Sequence, residues 1–170
     1  MENRRIPTAF EFLKNEVYLP GYMTLISADY DLKGGKFEFN IREPKVTRGS
    51  FVNYFTPRGL HICVSQAGYA LVENMINEGV FEELNIQALR QIFLQGRVKI
   101  IDLYQKFRKE IELSKLIEGR FNITRLRLGK MPVLQLDFDF GNRAVSGNLT
   151  SLIVQKPMLQ INQDLLRFKI

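Results

Sequence analysis

Hydrophobic spacing divides the chain into a short helix, a hairpin, one long helix, a second short helix and a run of strands. Between Thr8 and Glu16, Phe10 and Leu13, with Val17 just beyond, recur at helical spacing. Thr8, after Pro7, is the predicted N-cap, and Pro20-Gly21 is the stop. Tyr22 to Asp31 and Lys36 to Arg42 form a predicted β-hairpin that turns through Lys33-Gly34-Gly35. Its second arm alternates, with Phe37, Phe39 and Ile41 toward a core and Lys36, Glu38, Asn40 and Arg42 toward water. Pro44 to Pro57 reads as a loop, with Gly49, Ser50 and Asn53 as turn residues.

Arg58 to Glu78 carries the strongest helical signal. Leu60, Val64, Ala67, Leu71 and Met75 recur every three or four residues and form one apolar stripe. Ala67, Gly68 and Ala70 are small enough to let another element pack closely, and Gly79 is a natural stop. Asn85 caps a second helix, Ile86 to Leu94, which ends at Gly96. Strands follow over Val98–Phe107, Leu116–Leu128, Val133–Phe140 and Val145–Val154, with turns at Gly129-Lys130-Met131-Pro132 and Gly141-Asn142. A meander of such strands is antiparallel. The tail from Pro157 to Ile170 is expected to pack on the body as an accessory segment.

No internal repeat, low-complexity stretch or linker interrupts this order. Residues 1–170 are therefore expected to form a single domain, with its core over about 17–155 and accessory segments at both ends. The pattern predicts an α+β fold in which an antiparallel sheet wraps one long helix, although another α+β packing of these elements fits it too.

Composition narrows the chemistry. The chain has one cysteine, Cys63, and one histidine, His61, which exclude an internal disulfide, a thiolate metal cluster and a multi-histidine metal site. Neither a metal nor a cofactor is expected. Apolar runs fall far short of a membrane span and the N-terminus leads into polar residues, so a soluble, cytoplasmic protein is expected. A net charge of +6 favours an anionic partner. The basic residues are scattered among acids, which disfavours nucleic acid.

His61, Ser65 and Tyr69 lie at i, i+4 and i+8 and share one helix face. His61 and Ser65 have the spacing of a base–nucleophile pair, but no third residue orients the imidazole. A histidine that bonds a neighbouring group is the expected reading. Lys106, Arg108 and Lys109 form the densest basic cluster; it suits either phosphates or a solvated strand edge. Asp137 and Asp139 share a strand face expected to meet water.

Four fragments occur in an order and spacing that resemble the FcoT-like long-chain acyl-CoA thioesterases of the hotdog superfamily. They are Met23–Tyr30, Ser65–Tyr69, Lys106–Lys109 with Ser114-Lys115, and Ala144–Asn148, spread over roughly residues 17–155. The resemblance implies a hotdog fold, a fatty acyl-CoA or acyl-carrier-protein thioester as ligand, and a homodimer or higher oligomer with pockets where protomers meet. Tyr54-Phe55 resembles the His-Phe ahead of the central helix in hydroxyacyl-carrier-protein dehydratases, with tyrosine in place of the catalytic histidine. The dehydratase's helix carboxylate has no counterpart between Leu60 and Val72. Thr56 and Ser65 stand where the resemblance leads one to expect asparagines, and Asn53 is a nearby substitute. The implied catalytic set is Tyr54, Asn53, Thr56 and Ser65, and the implied substrate contacts are Phe55, Arg58, Gly59, Tyr69, Lys106 and Arg108. Tyr54 has a phenol, protonated at neutral pH, that can donate to a thioester carbonyl. Backbone N–H groups near Arg58 and Gly59 would add the positive end of a helix dipole. Hydrolysis and binding without turnover are both compatible with these residues.

Overall fold

A computed structural model describes residues 7–19, 22–41, 55–113 and 116–155. Asn53, Tyr54, Ser114, Lys115 and the tail from Pro157 lie outside them, as does most of the predicted loop from Pro44 to Pro57. The elements are α1 (Ala9–Phe12), a π-helical turn (Leu13–Val17), β1 (Leu25–Asp31), β2 (Gly34–Phe39), α2 (Pro57–Asn77), α3 (Ile86–Leu94), β3 (Val98–Phe107), β4 (Ile117–Arg127), β5 (Val133–Phe140) and β6 (Val145–Ile153). The six strands form one antiparallel sheet in the order β1-β2-β4-β5-β6-β3. The sheet curls around α2, as the sequence predicts.

The predicted stripe of α2 is the core. Leu60, Val64, Ala67, Leu71 and Met75 are all buried. They meet the inward residues of the strands, a cluster of phenylalanines in which Phe121 and Phe140 pack edge to face at 5.6 Å. Ala67 and Ala70 are closed within this core, so the small residues of α2 do not form one uniform docking surface. Pro57 occupies the first turn of α2, and Thr56 is its N-cap, accepting from the Gly59 N–H at 3.2 Å.

Four expectations change. Thr8 makes no side-chain capping bond; the first bond of the segment runs from the Phe10 N–H to the Pro7 carbonyl. The helix that follows widens after one turn, with the Tyr18 N–H reaching the Leu13 carbonyl five residues back. Gly34 and Gly35 belong to β2 and not to the turn. Both are close to neighbouring backbone: a Cβ on Gly34 would stand 2.0 Å from the Phe121 carbonyl oxygen, and Gly34 also has φ +137°. Finally, β3 pairs with β6 and not with its sequence neighbour β4, which places β3 at the sheet edge.

One buried polar side chain fixes α2 against the start of the sheet. Gln66 is fully buried. Its Oε1 accepts from the Thr24 N–H (3.2 Å), the Leu25 N–H (2.9 Å) and the Thr24 hydroxyl (3.0 Å). Its Nε2 donates to the Tyr22 carbonyl at 2.9 Å. Replacing it with an apolar residue of similar size would leave several buried groups without partners, each at roughly 1–3 kcal/mol. Gln66→Leu is therefore expected to lower stability by at least about 3 kcal/mol in urea unfolding. A loss below about 1 kcal/mol would mean that this amide does not clamp the helix.

Candidate functional site

The side of α2 turned away from Gln66 borders a cavity of about 240 Å³ between the helix, α3 and strands β3, β5 and β6. His61, Ser65 and Tyr69, the row expected at this spacing, form its helical wall together with Val64, Gly68 and Val72. Leu134, Leu136, Leu149 and Ile153 line it from the sheet, and Leu89 and Phe93 from α3. Tyr18, which follows the π-helical turn, also lines it. The wall is thus mainly apolar, with His61, Ser65, Ser151 and two phenols as its polar members.

A second, open recess of about 590 Å³ lies at the N-terminal end of α2, beside Tyr22, Arg58, Leu103 and Gln105. His61 lines both spaces. Its ring is exposed and makes no hydrogen bond among the described residues, so the expected structural bond is not there. Arg58 lies over the Tyr22 ring at 5.4 Å and donates to its hydroxyl at 3.0 Å, which leaves the guanidinium on the rim of the recess.

Of the other residues read from the sequence, Ser65 and Tyr69 face the cavity and Arg58 the recess. Phe55 packs instead in the core against Phe140, at 5.1 Å. In the first turn of α2, Pro57 has no N–H, and those of Gly59 and Leu60 bond to Thr56. That leaves the Arg58 N–H as the first-turn donor without a hydrogen bond among the described residues. Lys106 and Arg108 stand on the outer side of the sheet, where Arg108 donates to the Ser146 hydroxyl at 2.9 Å; neither borders the cavity.

Two cavity phenols are held protonated. Burial pushes Tyr18 up to about 12; the charge of Cys63 adds to this, and a hydrogen bond with Gln66 opposes it. Burial also raises Tyr69, followed by the charge of Glu73, against the opposing influence of Arg90. Glu73, at 2% exposure, lies one turn beyond Tyr69 and does not line the cavity. Among the described residues, no cluster of three or more metal-ligating side chains occurs. Among the described residues, no helix is long and apolar enough to cross a membrane.

Sequence reasoning missed Tyr18, Phe93 and Ser151. Their signal is tertiary, since each comes from a different element and none shares a local motif with α2.

No protein-family model matches the chain, and no curated protein matches it. Solved structures do. Zebrafish thioesterase superfamily member 2 aligns with a TM-score of 0.54 at 8% identity, over 86% of this chain and 94% of that one. A candidate thioesterase from Syntrophus aciditrophicus aligns with a TM-score of 0.51 at 12% identity, over 85% and 95%. A Helicobacter felis protein gives 0.50 at 14% identity, over 91% and 96%. At these identities the likeness is one of architecture, and the chain has the hotdog fold.

The phenol of Tyr18 also predicts a pH dependence. Its folded value of about 12 lies above the ordinary 10.0, so the unfolded chain loses this proton first. The contribution is fully present below pH 10 and is lost as pH rises toward about 12. Urea midpoints are expected to fall across that window, and less steeply in Tyr18→Phe. An equal slope in both proteins would show that Tyr18 is not the group responsible.

Proposed function

We propose that the protein hydrolyses an acyl thioester, with the acyl chain in the apolar cavity and the thioester at His61. The supporting observation is that His61 is shared by a mostly apolar cavity and an open recess flanked by a cation. An acyl thioester has that same division: an apolar chain, a polar carbonyl, and a carrier arm that ends in anionic groups.

In this reading, His61 takes a proton from the water that attacks the carbonyl and returns it to the carrier's sulfur as the C–S bond of the tetrahedral intermediate breaks, which releases a fatty acid and a free thiol. The Tyr54 phenol and the Arg58 N–H are the donors this reading assigns to the developing oxyanion. Thr56 holds the first turn of α2 in place through its cap, Asn53 orients the carbonyl or the water, and Ser65 lines the first part of the chain. Arg58 meets the carrier's phosphates at the recess. Lys106 and Arg108 meet an anionic carrier only from the outer side of β3. Tyr69 bounds the chain further in.

Acyl-CoA hydrolysis by purified wild type, Tyr54→Phe and His61→Ala tests this assignment. Tyr54→Phe is expected to lower turnover by about ten- to a thousand-fold, up to the loss of one oxyanion donor. His61→Ala is expected to lower it by about a hundred- to ten-thousand-fold. Both variants are expected to melt like the wild type. Full activity in either removes that residue from the chemistry. A second reading, acyl-thioester binding without turnover, is favoured by one observation: among the described residues no carboxylate lines the cavity. Tight acyl-CoA binding with no hydrolysis by the wild type would establish it.

The working form in this reading is at least a homodimer. Its edge strand β3 leaves Ile101 and Tyr104 each 58% exposed, apolar area suited to a second copy. Sedimentation velocity at micromolar concentration is expected to give a dimer or larger species, and a monomer alone would overturn this point.

A further inference from the structure

Gly68 sits in the middle of α2, where glycine costs about 1 kcal/mol relative to alanine. Its backbone has no positive φ, and a Cβ there would meet only Leu136 Cδ1, at an ordinary 3.7 Å. Neither conformation nor close packing therefore calls for glycine. What glycine does provide is open space, because Gly68 lines the cavity. Ser151 has a similar effect on the facing wall. It is 6% exposed and lies on the inward row of β6, where Leu149 and Ile153 are its larger neighbours. The cavity is kept open from both sides by side chains smaller than those around them.

The space they leave is limited. A dry cavity of ~150 Å³ holds one benzene, so on that scale the 240 Å³ here gives room for about eight to ten carbon-sized atoms. Along the helix the wall runs from His61 to Val72, a rise of about 16 Å at 1.5 Å per residue, so the limit is one of volume. Val72, Phe93, Val98 and Ile153 line the part farthest from His61 along the helix and the edge strands.

We propose that this cavity is a chain-length gauge, which accepts a straight acyl chain of about eight to ten carbons and excludes the long chains implied by the sequence resemblance. Gly68 determines that length. The proposal rests on the acyl-thioester reading and specifies its substrate class.

The test is the binding of free saturated fatty acids of six to sixteen carbons to the full chain, by calorimetry below their micellar concentrations. Acyl-CoA hydrolysis is measured over the same series. Each methylene buried is expected to tighten binding about fourfold. The gain is expected to stop at about eight to ten carbons, and longer acids to bind no better or more weakly. Gly68→Leu, which puts four carbons into the cavity, is expected to move that break to about four to six carbons. Gly68→Ala is expected to raise the melting temperature and shorten the accepted chain slightly. Affinity that keeps rising to sixteen carbons overturns the gauge while leaving the thioester reading intact. So does an unchanged length profile in a normally melting Gly68→Leu or Gly68→Ala. If no acid of any length binds and no acyl-CoA is hydrolysed, the thioester reading falls and the gauge falls with it.

Discussion

The fully buried amide of Gln66 is the constraint on which the rest of the arrangement depends. A helix packed only by an apolar stripe can turn about its axis at little cost, because dispersion contacts are numerous and non-directional. Four hydrogen bonds to Tyr22, Thr24 and Leu25 are directional and remove that freedom. Gly68 lies two residues further on, about 200° around the axis. Fixing one side of α2 to β1 therefore presents His61, Ser65, Gly68 and Val72 to β3, β5 and β6 on the other. The cavity is the counterpart of the clamp.

Where a periodic pattern is long, the sequence is enough to read the element. The α2 stripe, the α3 helix with its Asn85 cap, and β3 over Val98–Phe107 all stand where their spacing places them. The departures have tertiary causes. Gly34 and Gly35 look like turn residues, but the approach of β4 and β1 accounts for them. The pairing of β3 with β6 is a choice of neighbour, and local alternation contains nothing that selects it. Gln66 leaves no mark in the apolar periodicity, because a single amide does not alter the period of the stripe.

The candidate site shows the same division. Ser65, Tyr69 and His61 were legible as a row on one helix face, and they do border one space. That the space opens on one side to a recess with Arg58 depends on where β3 lies. The residues that complete the wall come from α3, from β6 and from the turn before Tyr18. Asn53 and Tyr54 lie outside the described residues. Charge contributes least to the wall of the cavity and most to its surroundings, as suits a ligand whose chain is neutral and whose far end is anionic.

The position of β3 at the edge also has a bearing on how the molecule comes to exist. Its hydrogen-bond partner β6 is made much later in the chain: Val98 pairs with Ile153 and Phe107 with Val145. Contacts so distant in sequence form slowly, because the intervening chain must be ordered before they give any return. During synthesis α2, α3 and β3 leave the ribosome before the strand that closes the wall exists. The cavity is then the last part of the domain to be assembled, and a nascent chain that has finished its central helix still lacks the wall that bounds it.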